Sequence, residues 1–250
     1  MADLLLPAGE PPGFPNCAQC PYWRMGPAWI CVGCAARTLE AVEADACPVC
    51  SQFLGPDGTC PNWLCTDPHR RIHRIDAIAY LSGALRHRIH RYKYDGARGW
   101  SLIFGRLVVG WLEAHAGNDP PGLIVANPTF LTPPNTVGHT ELIVATAAVA
   151  DAEQRWPFDI RSGSPAVIKT GPTEKSAGRT ASAKRTSAAE LRRLLKVPNP
   201  SLTEGRRILV FDDVCTTGSQ LDAVAACLLE EGRAYDVRGL VLARAPWRPR

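Results

Sequence analysis

Blocks of apolar residues recur along most of the chain at spacings that predict strands and helices in turn. Five short runs predict strands: "IDAIAYL", "GLIVANP", "PAVIK", "RRILVFDD" and "DVRGLVLARA". Five longer segments have apolar residues three or four apart and predict helices: "SGALRHRIHRYKYDG", "WSLIFGRLVVGWLEAHA", "HTELIVATAAVADAEQRW", "SAAELRRLLK" and "TGSQLDAVAACLLEEG". Strands that alternate with helices are typical of an α/β fold, so we predict a mainly parallel sheet flanked by helices.

The segment before the fourth helix is polar and basic over residues 170–186, which predicts a loop. Such a loop is either a lid that closes over a site or a plain connector. Ser187 follows it and Glu190 lies three residues later, a pattern that predicts a capping box at the start of the helix.

Cysteine dominates the first 67 residues, which carry eight of the ten cysteines in the chain. They form four close pairs: Cys17/Cys20, Cys31/Cys34, Cys47/Cys50 and Cys60/Cys65. Two such pairs supply the four thiolates of a tetrahedral zinc site, so we predict two structural Zn²⁺ ions. The chain then divides into a double zinc ribbon over residues 1–67 and an α/β domain over residues 68–250.

The pairing of these cysteines stays open, because a tandem and an interleaved arrangement use the same ligands. Disulfides are disfavoured in a cytosolic chain, and four successive pairs disfavour a redox site. Cytoplasmic localisation without membrane insertion is the expectation, because no apolar run approaches the roughly 18 residues of a spanning helix and the N-terminus lacks the basic flank of a signal peptide.

Positive charge is concentrated in two stretches, although the net charge is only +4. Residues 161–207 carry eleven Lys or Arg against three Asp or Glu, and residues 69–98 carry eight against two. The second stretch also holds four histidines, whose irregular spacing predicts surface positions. Basic stretches favour phosphate-rich partners, although a solvated surface is the commoner explanation for scattered charges.

Residues 206–232, "RRILVFDDVCTTGSQLDAVAACLLEEG", place Asp212 and Asp213 at the end of a buried strand, before a Thr-Thr-Gly turn and a helix. Ligands of parallel sheets bind at the carboxyl ends of the strands. The helix, predicted to begin near Thr217, points free N–H groups at the same place, and Gly218 lets a phosphate approach the backbone. Because carboxylates accept hydrogen bonds from sugar hydroxyls or assist Mg²⁺, the segment predicts a sugar-phosphate site.

The run "ILVFDDVCTTGSQ" resembles the 5-phosphoribosyl 1-pyrophosphate (PRPP) binding motif of type I phosphoribosyltransferases. The resemblance implies that the two acids are catalytic, that they bind the ribose 2′- and 3′-hydroxyls, that the turn binds the 5′-phosphate, and that Mg²⁺ accompanies PRPP. The implied PRPP-binding residues form one run: Asp212, Asp213, Val214, Cys215, Thr216, Thr217, Gly218 and Ser219.

The cysteine pairs together with "YLSGALRHRIHRYKYDG" and "GLVLARA" are similar to the ComF family of competence-associated, phosphoribosyltransferase-like proteins. This resemblance spans nearly the whole chain and implies a type I phosphoribosyltransferase-like fold after the zinc ribbons. The matching residues after the cysteines are Tyr80, Gly83, Leu85, Arg86, Ile89, Lys93, Tyr94 and Gly96.

The loop after the second strand departs from that family, which typically has basic residues and an "RGFNQ"-like segment around the pyrophosphate. Here Val137 stands in the place of Arg before Gly138, and no Lys or Arg occurs between Gly110 and Arg155. The candidates for lid or pyrophosphate contacts therefore lie elsewhere: Lys175, Arg179, Lys184, Arg185 and His139.

Three functions fit these observations. The first is an enzyme that transfers phosphoribosyl from PRPP to a nitrogen acceptor. The second is a catalytically weak module that binds single-stranded DNA with competence proteins during DNA uptake; "HRRIHR" and "RHRIHRYKY" mix cations with aromatic rings as such sites do. The third is a regulator that senses PRPP or a nucleoside monophosphate.

Overall fold

The structure is a computed structural model that describes residues 39–131, 136–161, 165–173 and 181–247, with the backbone alone described over 181–187. The described residues form strands and helices in the order β1 (Ile75–Tyr80), α1 (Gly83–Tyr94), α2 (Trp100–His115), β2 (Leu123–Ala126), α3 (His139–Ala150), β3 (Ile168–Lys169), α4 (Ala181–Leu194), β4 (Leu195–Lys196), β5 (Arg207–Cys215), α5 (Ser219–Glu230) and β6 (Asp236–Arg244). No helix in these ranges is long and apolar enough to cross a membrane.

Four strands form the main sheet in the order β1–β6–β5–β2, and every neighbouring pair is parallel. The strand that ends in the two acids, β5, therefore lies inside the sheet between β6 and β2. β3 and β4 pair antiparallel in a separate two-stranded ribbon. The predicted fold class, a mainly parallel sheet flanked by helices and preceded by a cysteine cluster, is confirmed.

Helices cover both faces of this sheet. Leu209 and Phe211 of β5 belong to the core shared with α1, α2 and α3, whereas Ile208 and Val210 belong to the core shared with α4 and α5. Successive residues of a strand point to opposite faces, so a strand covered on both sides is apolar throughout. Because parallel strands end at the same edge, the segments that follow β2 and β5 meet there.

Two predicted boundaries outside that sheet are wrong. The helix expected to reach Trp156 ends at Ala150, where the chain turns and the Asp151 carboxylate accepts a hydrogen bond from the Trp156 N–H at 2.8 Å. The strand expected over "PAVIK" is reduced to Ile168 and Lys169, which pair with β4 and not with the main sheet.

The capping box is also wrong, because α4 begins at Ala181 and Ser187 lies inside the helix. Alanine, lysine and arginine in "ASAKRTSAAELRRL" have high helix propensity and extend the helix upstream of the expected cap. Residues 181–186, predicted as part of a loop, therefore belong to the helix, and residues 174–180 lie outside the described residues. Leu195 and Lys196, expected in the helix, form β4.

The described part of the cysteine-rich segment packs on the sheet edge formed by β1 and on the end of β6. Backbone N–H of Ile75 donates to Val49 O at 2.7 Å, and Gln52 Nε2 donates to Ala245 O at 3.1 Å. Phe53 stacks on Tyr80 with ring centroids 4.2 Å apart. This segment therefore lies against β1 and the end of β6, and β6 is one of the two strands that flank β5.

Candidate functional site

The carboxyl end of β5 buries two adjacent acids. Asp212 is 9% exposed and Asp213 is 4% exposed. The Asp213 backbone N–H donates to Asp212 Oδ1 at 2.8 Å, which fixes the first carboxylate against the strand. Because a buried charge is costly without partners, the surrounding elements must supply donors.

Those donors come from two other elements. Asn127, directly after β2, donates from Nδ2 to Asp212 Oδ2 at 3.0 Å. Lys93, in the last turn of α1, places Nζ 2.8 Å from Asp213 Oδ1. Within the described residues no donor reaches Asp213 Oδ2, so this oxygen can accept a hydrogen bond from a ligand.

The sequence analysis did not assign a role in this site to Lys93 or Asn127. Asn127 carried a usable signal, because a polar residue directly after a parallel strand lies at the edge where ligands bind. Lys93 was named only as a residue that matches the ComF pattern, and that match did not predict its contact with Asp213, which spans 120 positions of the chain and depends on where α1 packs.

The protonation states in this cluster follow from burial and from the neighbouring charges. Burial, reinforced by the charge of Asp213, raises the pKa of Asp212 to about 7, although Lys93 and two hydrogen bonds oppose the rise. Burial lowers the pKa of Lys93, but the attraction of Asp213 outweighs it, so this pKa lies above its usual value. The cluster thus combines a permanent cation with an acid that changes charge near neutral pH.

The turn after β5 has the backbone geometry of an anion site. Gly218 has a φ of +85°, and a Cβ there would lie 2.6 Å from Ile75 Cδ1, so only glycine fits. In the described part of the chain, the N–H groups of Thr216 and Thr217 and that of Gly218 donate to no partner. α5 starts at Ser219, two residues later than expected, and its dipole adds positive potential at the same place. Free N–H groups at a helix start are a common way to bind phosphate.

The described residues of the connection between β2 and α3 contact a carboxylate at the start of α3. Glu141 accepts hydrogen bonds from the Thr129 N–H at 3.1 Å and from Thr140 Oγ1 at 3.0 Å. Burial raises the pKa of Glu141. A side chain on Gly138 would collide with this carboxylate, so the glycine leaves the room that Glu141 fills.

His139 begins α3 beside the same connection. Its carbonyl accepts a hydrogen bond from Tyr92 OH at 2.7 Å, and the two rings meet edge to face at 5.3 Å. Burial lowers the pKa of His139, so at neutral pH the imidazole offers a hydrogen bond and no charge. Arg98 is the cation that contacts this connection, through Val137 O at 2.9 Å.

The other four residues predicted to contact the pyrophosphate or to form a lid have no described side chains. Lys175 and Arg179 lie outside the described residues, and Lys184 and Arg185 lie in α4 where the backbone alone is described. Val214 is half-buried near the end of β5.

Four of the predicted zinc ligands form one cluster. The sulfur atoms of Cys47, Cys50, Cys60 and Cys65 all lie within 4.8 Å of one another. Cys47 and Cys65 are 3.7 Å apart, and so are Cys50 and Cys60. A tetrahedral zinc with Zn–S bonds of about 2.3 Å separates its sulfurs by about 3.8 Å, so this cluster fits one structural Zn²⁺. Cys17, Cys20, Cys31 and Cys34 lie outside the described residues.

This cluster settles the pairing of its own cysteines, because the third pair meets the fourth as in the tandem arrangement. The Cys65 hydrogen bond lowers the pKa of Cys50 to about 4, helped by the Arg244 guanidinium and opposed by burial. Burial raises the pKa of Cys60 to about 12. One thiolate is therefore already favoured in the cluster, and thiolates are the form that zinc binds.

Comparisons with known proteins add little to this geometry. No protein-family profile and no curated protein matches the chain. A solved structure described as that of the allosteric regulatory enzyme of purine biosynthesis matches 56% of this chain and 25% of its own, at 18% identity and a TM-score of 0.32. This chain spans about a quarter of the length of that enzyme, and a likeness of this size carries no argument about function.

Proposed function

We propose that this chain binds a 5-phosphoribosyl group, as PRPP or as a nucleoside monophosphate, and transfers it from PRPP to a nitrogen acceptor. The observation that carries the proposal is the pair of buried acids at the end of β5, directly before a turn with three free N–H groups. Asp212 and Asp213 would accept hydrogen bonds from the ribose hydroxyls. The turn from Cys215 to Ser219 would bind the 5′-phosphate.

The distribution of charge supports this division of roles. Phosphate cannot approach two carboxylates closely, whereas neutral hydroxyls donate hydrogen bonds to them. The Asp213 carboxylate already has Lys93 on one oxygen, which leaves the other for a hydroxyl. Both the sequence motif and the geometry support a proposal in which the acids face the sugar and the N–H groups face the phosphate.

The proposed reaction breaks the bond between C1 of the ribose and a pyrophosphate oxygen, and pyrophosphate leaves with the electron pair. The acceptor nitrogen forms the new bond to C1 and releases a proton. Holding the ribose by its hydroxyls and its 5′-phosphate orients C1, which is the main contribution of positioning to catalysis. Asp212 and Asp213 also stabilise positive charge that develops on the sugar.

Mg²⁺ fits this site as a companion of the substrate. It binds in proteins through one or two carboxylates together with substrate phosphates, and Asp212 and Asp213 supply carboxylate oxygens. When bound, Mg²⁺ would neutralise charge on the pyrophosphate. The described residues contain no cluster of three carboxylate or histidine ligands, so these residues alone do not enclose the ion.

The ComF family remains the best explanation of the whole sequence pattern, and we include it in the proposal. Under it, residues 1–67 form two zinc ribbons with two structural Zn²⁺ ions, and residues 68–250 form the phosphoribosyltransferase-like domain in the cytoplasm. The described cysteine cluster supports the second of the two ribbons.

The experiment is a calorimetric titration of the zinc-replete full chain with PRPP and Mg²⁺, with ribose 5-phosphate as the comparison ligand. We expect both ligands to bind and to compete with each other. If PRPP binds saturably, the next experiment measures pyrophosphate release in the presence of nitrogen bases. If neither ligand binds at millimolar concentration, the proposed function is wrong.

A second candidate, binding of single-stranded DNA, is favoured by the outer face of α1. Tyr94 is 68% exposed and its ring centroid lies 4.9 Å from that of His90. Arg86 and His87 are exposed on the same helix, whereas Ile89 faces the core. Exposed rings among cations stack bases without sequence preference. A labelled oligonucleotide of about ten bases should bind, Tyr94→Ala should weaken it, and ribose 5-phosphate should not compete.

A further inference from the structure

One buried arginine joins the cysteine cluster to the turn that follows β5. Arg244, the last residue of β6, is 0% exposed. Its Nε donates to Cys50 O at 2.8 Å, and its Nη2 lies 3.6 Å from Cys50 Sγ. Its Nη1 donates to Cys215 O at 3.0 Å and also to Thr216 O. A single guanidinium thus contacts a cluster cysteine and two successive carbonyls of the turn.

An asparagine between the third and fourth cysteines of the cluster extends this contact. Asn62 is buried, and its Nδ2 donates to Thr217 O at 2.9 Å. Three successive carbonyl groups, those of Cys215, Thr216 and Thr217, therefore accept hydrogen bonds from Arg244 or Asn62. All these side-chain donors approach from the side of the cysteine cluster.

This arrangement fixes the direction of the free N–H groups. In a trans peptide the C=O of one residue and the N–H of the next point in opposite directions. With the carbonyls of residues 215–217 held toward the cysteine cluster, the N–H groups of residues 216–218 point away from it. Those are the groups that have no hydrogen-bond partner in the described structure. Arg244 and Asn62 therefore hold the turn in the conformation that can bind an anion.

Arg244 also depends on the cluster for its counter-charge. No carboxylate contacts its guanidinium within the described residues, and a buried charge without a counter-charge is strongly destabilising. Four thiolates around one Zn²⁺ carry a net charge of −2 directly beside it. Removal of zinc changes both the charge and the geometry of the cluster beside Arg244, and so loosens the side chain that holds two of the three carbonyls.

We propose that Arg244 and Asn62 are positioning residues that couple zinc occupancy of the Cys47–Cys65 cluster to the phosphate affinity of the turn 215–219. The inference rests on the proposed function, because it requires the turn to bind phosphate. Coupling between two sites is reciprocal, so phosphate on the turn must also strengthen zinc binding by the same factor.

The test compares ribose 5-phosphate affinity, by calorimetry, in zinc-replete full chains of the wild type and two variants. Asn62→Ala removes one carbonyl contact and should weaken binding about fivefold, the value of one hydrogen bond. Arg244→Lys keeps the positive charge but loses the guanidinium that contacts two carbonyls. It should weaken ribose 5-phosphate binding more than Asn62→Ala does. Thr59→Ala, an exposed change between Cys50 and Cys60 that does not touch the turn, should bind as the wild type does. Zinc content is measured on every sample.

A second readout uses zinc release to a chelating dye. Ribose 5-phosphate should slow release from the wild type and from Thr59→Ala, and should have a smaller effect on Asn62→Ala. Variants that keep their zinc and bind ribose 5-phosphate as tightly as the wild type would overturn the coupling while leaving the proposed function intact. A wild-type chain that binds no ribose 5-phosphate would overturn the proposed function itself.

Discussion

The two sides of the candidate site differ in what they offer a ligand. The β5–α5 side has two acids for hydroxyls and three free N–H groups for a phosphate. The β2–α3 side has a half-buried carboxylate, Glu141, which already accepts a hydrogen bond from the Thr129 N–H, and a histidine that is neutral at neutral pH. The first side suits a ribose 5-phosphate group, and the second opposes a further anion.

Under the proposed function, this difference means that binding of the sugar phosphate and binding of the pyrophosphate depend on separate parts of the site. Among the residues whose side chains are described, two cations lie close to the second side, one in α1 and one in the turn after it: Lys93 contacts Asp213 and Arg98 contacts Val137 O. Both already have protein partners. We therefore expect the affinity for PRPP to exceed that for ribose 5-phosphate only modestly.

The largest effect is expected from a substitution that removes the zinc cluster packed beside the β5–α5 side. Cys47→Ser should lose one zinc per chain, because three thiolates and a hydroxyl bind zinc poorly; structural zinc contributes binding free energies on the order of 10 kcal/mol. Thermal unfolding should begin at a much lower temperature. Cys227→Ala, a buried cysteine outside the cluster, is the control and should keep its zinc. Full zinc content in Cys47→Ser would show that the cluster is not a metal site.

Asp213→Asn tests directly whether the β5–α5 side binds the ribose. Ribose 5-phosphate should bind about 100-fold more weakly, because a hydrogen bond to a charged group is worth about 1.5–3 kcal/mol and Lys93 loses its partner. Calorimetry measures the affinity. Asp95→Asn makes the same charge change at an exposed position and should bind as the wild type does. Equal affinities of the two variants would contradict the assignment of Asp213 to the ribose.

Asp212→Asn should stabilise the fold at high pH. The pKa of Asp212 is raised from 3.8 to about 7 in the folded chain, so the folded state holds a proton that the unfolded state has lost. The wild type should therefore lose about 3 kcal/mol of stability as pH rises from 5 to 8, and the variant should not. Urea unfolding at pH 5 and pH 8 measures this. Parallel pH profiles for the two proteins would contradict the raised pKa.

The smallest expected effect concerns the β2–α3 side. Glu141→Gln removes a negative charge beside the pyrophosphate position and should raise the affinity for PRPP relative to ribose 5-phosphate about fivefold, about 1 kcal/mol. Calorimetry with Mg²⁺ present measures the ratio of the PRPP affinity to the ribose 5-phosphate affinity. Glu153→Gln makes the same change at an exposed position and should leave the ratio unchanged. A lower ratio in Glu141→Gln would show that this carboxylate assists the pyrophosphate.

Local patterns predicted much of this fold. The run "ILVF" before two acids predicted a strand buried on both faces, and β5 is that strand. The two close cysteine pairs, Cys47/Cys50 and Cys60/Cys65, predicted ligands that the structure brings together for one zinc. Both predictions depend on residues close together in sequence, where spacing fixes geometry.

Contacts between distant segments could not be predicted in the same way. The placement of Lys93 beside Asp213 and of Arg244 between Cys50 and Thr216 depends on how helices and strands pack. The capping box at Ser187 failed for a related reason, since a short motif could not report that the alanine-rich residues before it continue the helix. Sequence motifs located the acids and the turn, but not the cation or the side chains that hold them.

The most direct test of the central claim compares ribose 5-phosphate with 2-deoxyribose 5-phosphate in one calorimetric series. The two sugars differ by one hydroxyl and share the phosphate. If the acids of β5 bind the ribose hydroxyls, the deoxy sugar should bind about tenfold more weakly to the wild type, and Asp213→Asn should reduce this difference. Equal affinities for the two sugars in the wild type would contradict the account, because the site would then bind phosphate alone.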